Sequence, residues 1–189
     1  MIAIGIDPGT RNLGWGVVSA DSNRLSHVAH GVIRVRPGDP LSLRLHVIFD
    51  QLTQVVHEHA PQRAAVEGIF FDKNAQSAAK LGHARGVVLL CLEQQGVPVR
   101  EHAPARVKRT LTGHGAADKS QVAHIVSAIL KLPKVPAEDA SDALAIAITE
   151  LRVDPKSQLA NVQRSVKAHN SRKMPAHVLA AIERAKASR

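Results

Sequence analysis

Residues Ala140 to Thr149, ASDALAIAIT, are apolar or small on nearly every side of a helix. Pro136, Glu138 and Asp139 precede them, and a proline and acidic side chains both favour a helix N-terminus. A helix that is apolar all round has to be enclosed by the rest of the chain. The segments before it supply the enclosure. In Met1 to Asp7, Ile2, Ile4 and Ile6 alternate with Ala3, Gly5 and Asp7, the period of a strand, and Pro8-Gly9 ends it in a turn. GWGVVSA at 14–20 and LSHVAHGVIRV at 25–35 follow short turn-rich segments, so three consecutive strands are expected as an antiparallel meander. From Pro40 to His59 the apolar residues Leu41, Leu45, Ile48, Leu52, Val55 and Val56 keep a helical period. RAAVEGIFF at 63–71 reads as a buried strand, 74–95 as a long helix and PVREHAP at 98–104 as a short strand. ARVKRTLTG is a short helix closed by Gly113, and KSQVAHIVSAILKL an amphipathic helix. The sum is an α/β fold, a mixed sheet flanked by helices, without an internal repeat.

A chain of 189 residues is expected to form one domain with a substantial core. No apolar stretch approaches the roughly 20 residues of a membrane span, and no basic region precedes an apolar signal core at the N-terminus. The single cysteine, Cys91, excludes an internal disulfide and suits a reducing compartment, so a cytoplasmic protein without membrane association is expected. The formal charge of +9 points to an acidic polymer as partner, nucleic acid before membrane. Most of that charge lies at one end: from Arg152 to Arg189 there are nine Lys or Arg against Asp154 and Glu183. The expected division is therefore a folded domain over 1–154 and a basic C-terminal extension over 155–189, flexible or partly helical.

Four carboxylates interrupt apolar surroundings. Asp7 ends the first strand, Glu67 falls inside AAVEGIFF, and Asp139 and Asp142 open the apolar helix three residues apart, on one side of it. Each alone has an ordinary explanation. Asp7 can begin an Asx turn or face a cation or phosphate-bearing ligand, Asp139 can cap a helix, and Glu67 can pair with a base. Four anions gathered among apolar neighbours are strongly unfavourable unless positive charge compensates them. Hard divalent cations with oxygen ligands supply that charge, and Mg²⁺ shared between carboxylates and a substrate phosphate is the basis of phosphodiester chemistry. Other templates fail. The eleven His residues show no zinc spacing, and neither Gly-x-Ser-x-Gly nor His-Glu-x-x-His occurs. GHGAADKS at 113–120 nearly spells a phosphate loop, but Asp118 replaces its second glycine and would repel phosphate.

GIDPGTRNLGWGVV, VEGIFFDKNAQSAAKLGHARGVV, KSQV at 119–122 and EDASDALAIAIT together resemble the RuvC-type crossover junction endodeoxyribonucleases, bacterial Holliday junction resolvases, over residues 1–151. The resemblance implies a ribonuclease H-like fold with a five-stranded mixed sheet. It also implies a homodimer that places paired, symmetric nicks on opposed strands of a four-way DNA junction in recombination and repair. Under it Asp7, Glu67, Asp139 and Asp142 are the catalytic metal ligands, holding two Mg²⁺, or Mn²⁺, for water attack on a phosphodiester that leaves 5′-phosphate and 3′-hydroxyl ends. Lys108 and Lys119 match bases near the scissile backbone, and Phe70 matches an aromatic that stacks on a base at the crossover. Arg11, Lys73, Asn74 and Arg109 are further candidates for phosphate contact. A branch-migration complex, made of a junction-recognition protein and a hexameric motor, is the implied partner assembly.

Three other readings compete. A smaller nuclease family of the same fold, acting on structured RNA, shares the opening motif but predicts neither KSQV nor the helix at 74–95. A non-catalytic junction-binding module would not need all four carboxylates. The actin-like ATPases, whose first phosphate motif GIDPGT also resembles, need a second domain and a second phosphate loop that these residues do not contain. The basic extension generates a direct expectation. Deletion after Asp154 weakens binding to a DNA junction and flattens the log–log salt dependence by about 0.9 for each phosphate the extension neutralises, read from affinity titrations between 50 and 200 mM salt.

Overall fold

The computed structural model describes residues 1–22, 24–68, 75–115 and 117–153, with no side-chain description for 75–77. Residues Met1–Arg152 form one compact unit. The expected boundary at 154 and the extension 155–189 lie outside the described residues, as do Phe70, Lys73 and Asn74.

The chain runs β1 (Ile2–Asp7), β2 (Asn12–Asp21), β3 (Arg24–Arg34), α1 (Leu41–His59), β4 (Arg63–Glu67), α2 (Ala75–Gln94), β5 (Val99–His102), α3 (Pro104–Thr112), α4 (Lys119–Leu130) and α5 (Glu138–Arg152). The five strands form one sheet in the order β3-β2-β1-β4-β5. β1, β2 and β3 are the expected antiparallel meander, whereas β4 joins β1 in parallel and β5 joins β4 in parallel. The sheet is thus mixed, and its two faces are covered differently. Ile4, Ile6, Leu13, Val17 and Val66 pack with Ile48, Leu52 and Val56 of α1 and Val88, Cys91 and Leu92 of α2. On the other face Val18 and Ala65 pack with α3, α4 and the apolar run of α5.

Several ends differ from the pattern-based expectation, each for a local reason. β5 stops at His102 because Pro104, whose missing N–H costs nothing in a first turn, starts α3. α3 closes on Gly113 at φ 77°, and its N–H donates to the Arg109 carbonyl. β4 ends at Glu67, and the Gly68 N–H donates to the His102 carbonyl. The remainder of the expected strand to 71 lies outside the described residues.

The contact that sets the layer spacing is made by glycines. A Cβ on Gly5 of β1 would lie 2.1 Å from the Ala143 carbonyl oxygen, and one on Gly14 of β2 would lie 1.9 Å from that of Asp139. At Gly16 it would meet the Leu144 side chain at 2.7 Å. The α5 backbone therefore rests directly on bare strand backbone, and its buried residues Ala140, Ala143, Ala147 and Ile148 close the gap. Gly5→Ala is accordingly expected to lose 1–3 kcal/mol or more of stability by overpacking, an approximate range, in denaturant unfolding. Gly86→Ala in α2, where nothing lies within 4 Å of an added Cβ, is expected to gain about 0.4–1 kcal/mol in the same assay.

Candidate metal centre

Asp7 and Glu67 are the last residues of two parallel neighbours, paired through Gly5 with Ala65 and Ile6 with Val66. Alternation sends Asp7 to the same face as Gly5 and Glu67 to the same face as Ala65, the face that α5 covers. Since α5 starts above the ends of β1 and β2, its first turns bring Asp139 and Asp142 to the same corner. Asp7, Glu67 and Asp142 line a cavity of about 180 Å³ together with Lys108 of α3 and Lys119 of α4, floored by Val107, Val122, Ala145 and Ile146. Asp139 does not line it. It stands close enough to act on Asp7 and Asp142 by charge, while its backbone carbonyl covers Gly14.

The electrostatics of this corner are dominated by burial and like charge. Burial, then Glu67, Asp142 and Asp139, push the Asp7 carboxyl up to about 7, with Lys119 the opposing charge. Among the described residues the Asp7 carboxylate accepts no hydrogen bond, so it is not the start of an Asx turn. That turn is held instead by Arg44, which donates to the Thr10 carbonyl at 2.9 Å, and by the Val35 N–H, which donates to the Arg11 carbonyl at 3.0 Å. Burial also raises Glu67, followed by the charge of Asp142, against Lys119 and Lys108. Asp142 is raised by burial despite Lys119 beside it.

Lys119 does not offset this charge alone. Its Nζ lies 2.6 Å from Glu138 Oε1 and 3.6 Å from Asp142 Oδ2, and the bond to Glu138 holds its ammonium above the usual lysine range. Both members of the Lys119–Glu138 pair are about two-thirds exposed, so the pair contributes little stability and opens at little cost. Lys108 lines the wall from α3; Arg109, the next residue, is exposed and does not line this cavity. Arg11 lies on the β1–β2 turn and lines a different cavity. The near-phosphate-loop at 113–120 is a helix cap. Asp118 Oδ1 accepts from the Gln121 N–H at 2.8 Å and Gln121 Oε1 accepts from the Asp118 N–H at 3.3 Å, so the α4 N-terminus is closed by the chain's own carboxylate.

Among the described residues no three His, Cys, Asp or Glu side chains stand ready to hold an ion between them. The donor set nonetheless fits a hard cation. Every candidate ligand is a carboxylate, the Asp7 carboxyl is pushed up by burial and by its acidic neighbours, and Mg²⁺ keeps several waters and takes only one or two protein carboxylates.

Three contributors escape a motif-level reading. Glu138 holds Lys119. Arg85, buried in α2, donates to the Glu67 carbonyl oxygen and pairs with Glu101 of β5 at 2.6 Å, tying α2 to the end of β4. His102 is the register partner of Glu67 on β5 and contacts the buried Glu150 at 2.9 Å. The signal for Arg85 was present: it is a cation next to Ala84 on the helix face that continues through Val88, Cys91 and Leu92.

The Asp7 shift carries a consequence for the metal-free protein. In the window from about 4, where Asp7 ionises in the unfolded chain, to about 7, where it ionises in the folded one, the folded state binds more protons, so stability falls as pH rises. Thermal unfolding in chelator should show Tm dropping across that window. Asp7→Asn should flatten the Asp7 part of the drop, and added divalent ion should raise Tm more above pH 7 than below pH 5.

The family model for crossover junction endodeoxyribonuclease RuvC matches residues 3–150. A curated relative of that name from Sorangium cellulosum is 56% identical over 151 residues, covering 80% of this chain and 84% of the relative. One from Teredinibacter turnerae is 46% identical over 151 residues, covering 78% and 85%. Among solved structures, Thermus thermophilus RuvC in complex with Holliday junction substrate superposes with a TM-score of 0.75 at 38% identity, covering 79% of this chain and 92% of that one. Motif order, sheet order and overall similarity thus agree, and the chain belongs to the RuvC family of crossover junction endodeoxyribonucleases.

Proposed function

We propose that this protein resolves four-way DNA junctions by metal-dependent, paired symmetric nicks, with Asp7, Glu67, Asp139 and Asp142 as its catalytic carboxylates. The observation that carries the reading is the convergence of carboxylates from β1, β4 and α5 on one corner between two lysines, in a relative of an enzyme solved on a Holliday junction. Asp7, Glu67, Asp139 and Asp142 would hold Mg²⁺ or Mn²⁺, which would supply water activation and charge neutralisation for phosphodiester hydrolysis. The carboxylates would hold the ion: Asp7, whose carboxyl burial and acidic neighbours push up, would bind it in ionised form, and the strand ends keep Asp7 and Glu67 in fixed register. Lys108 and Lys119 draw the scissile phosphate toward the cavity wall, Lys119 by exchanging its exposed partner Glu138 for phosphate oxygen. A strand cut with the bridging oxygen leaving on the 3′ side has 5′-phosphate and 3′-hydroxyl ends, which a ligase can rejoin.

Two cuts need two sites. A homodimer matches the two-fold symmetry of a four-way junction, so that each protomer addresses one of two opposed strands. Phe70 is assigned to base stacking at the crossover and Lys73, Asn74 and Arg109 to the backbone around it. Branch-migration proteins are the expected assembly partners, and the cytoplasm the expected compartment; no helix among the described residues is long and apolar enough to cross a membrane.

Nicking of a synthetic four-way junction, linear duplex and structured RNA, each with Mg²⁺, Mn²⁺ or chelator, tests substrate and cofactor together. The junction alone should be cut, at symmetric positions, and only with metal. Asp7→Asn should bind the junction but cut it at least roughly 100-fold more slowly, as expected for losing one charge partner of the transition state. Retained cutting by that variant sinks the carboxylate mechanism, and preference for RNA returns the RNA-processing reading.

A further inference from the structure

Where the β1–β2 turn meets α1 and α2 lies a second cavity, of about 370 Å³, lined by Thr10, Arg11, Pro37, Arg44, Lys80 and Leu81. Three of these six side chains are cationic and none is acidic. They arrive from three elements far apart in sequence: Arg11 from the turn, Arg44 from the first turn of α1, and Lys80 from the early part of α2. Like charges brought together by folding repel one another unless an anion joins them.

Arg44 gives the second observation. Its Nη1 donates to the Thr10 carbonyl, which fixes the guanidinium against the turn, yet its Nε is buried and has no hydrogen-bond partner among the described residues. A buried guanidinium donor left unused is costly, and the side chain that carries it lines the cavity. Arg11 and Lys80, both exposed, reach the same space from either side. The turn between is tightly folded: a Cβ on Gly9 would sit 2.1 Å from the Asn12 carbonyl oxygen.

We propose that Arg11, Arg44 and Lys80 form a phosphate subsite for a non-scissile backbone phosphodiester of the bound DNA, a site separate from the metal centre. The proposal rests on the junction-cutting reading for the identity of the DNA. Arg11 follows Asp7 by four residues, so their Cα atoms are at most roughly 14 Å apart, and the side chains extend from there. At about 3.4 Å of rise per nucleotide, the phosphate held there lies within several nucleotides of the cut. Because Arg44 binds the turn that Asp7 begins, the subsite fixes DNA register against the same piece of backbone that carries a metal ligand.

The test pairs protein variants with a set of junctions, each carrying one uncharged methylphosphonate linkage, in chelator so that no cutting occurs. Lys80→Gln and Arg11→Gln alter exposed side chains and keep the fold; Arg44→Gln, which also touches the turn, is checked by thermal unfolding. For wild type, one linkage within several nucleotides of the cut on the strand that is nicked should weaken binding several-fold beyond the others. In Lys80→Gln and Arg11→Gln that linkage should have lost its effect, and the double variant should lower the salt slope by about 0.9, one phosphate, and not twice that. Equal sensitivity of wild type and variants to every linkage, or an unchanged salt slope in the double variant, overturns the subsite. Failure of wild type to prefer and nick an unmodified junction overturns the underlying reading instead, so the two failures are separable.

Discussion

The seating of α5 on bare glycine backbone is the contact on which the rest of this molecule depends. Gly5, Gly14 and Gly16 remove the Cβ atoms that would hold a helix at the usual distance from a sheet, and the Asp139 and Ala143 carbonyls occupy the space. An α-helix that close has no room for large side chains underneath, which is why alanines alternate with isoleucine and leucine along it. The same closeness sets the chemistry. Were α5 lifted by the thickness of a methyl layer, Asp142 would leave the corner where Asp7 and Glu67 end, and the carboxylates would no longer share a cavity.

Packing this tight brings a cost in charge. The apolar contacts that seat α5 also desolvate Asp7, Glu67 and Asp142, and the cations at hand, Lys108 and Lys119, are too few and partly committed to Glu138 to balance them. The far end of the same helix shows the contrast. Glu150, 1% exposed, is surrounded by His102 at 2.9 Å, Arg100 at 3.1 Å and Arg63 at 3.9 Å. One helix thus carries a buried acid provided with partners at its last turn and acids left short of them at its first. That difference separates a structural carboxylate from a candidate ligand more clearly than burial does.

Much of this was legible in residue order. The period of Ile2, Ile4 and Ile6 put Asp7 on the face opposite to them, and the all-round apolarity of 140–149 required an enclosed helix. The four carboxylates stood out because each broke an apolar run. Sheet order did not follow from periodicity, since nothing in a strand's own pattern states whether its neighbour is next in sequence; β4 inserts beside β1, on the far side of the meander from β3, the strand before it in the chain. Glu138 and Arg85 were missed for a different reason. Each works through a partner distant in sequence, Lys119 in one case and the Glu67 carbonyl in the other, and such pairings exist only once the chain is folded. Asp118 shows the reverse: a local motif resembling a phosphate loop is fully explained by local capping.

The parallel register of β1 and β4 has a bearing on safety in the cell. Side chains alternate faces along a strand, so a slip of one residue between these strands would send one of Asp7 and Glu67 to the α1–α2 side and leave no common cavity. A chain paused with its sheet misaligned, or with α5 not yet docked, carries no assembled scissor. In a family of endodeoxyribonucleases, the candidate metal centre thus comes into being only after the fold has been completed and checked by its own core.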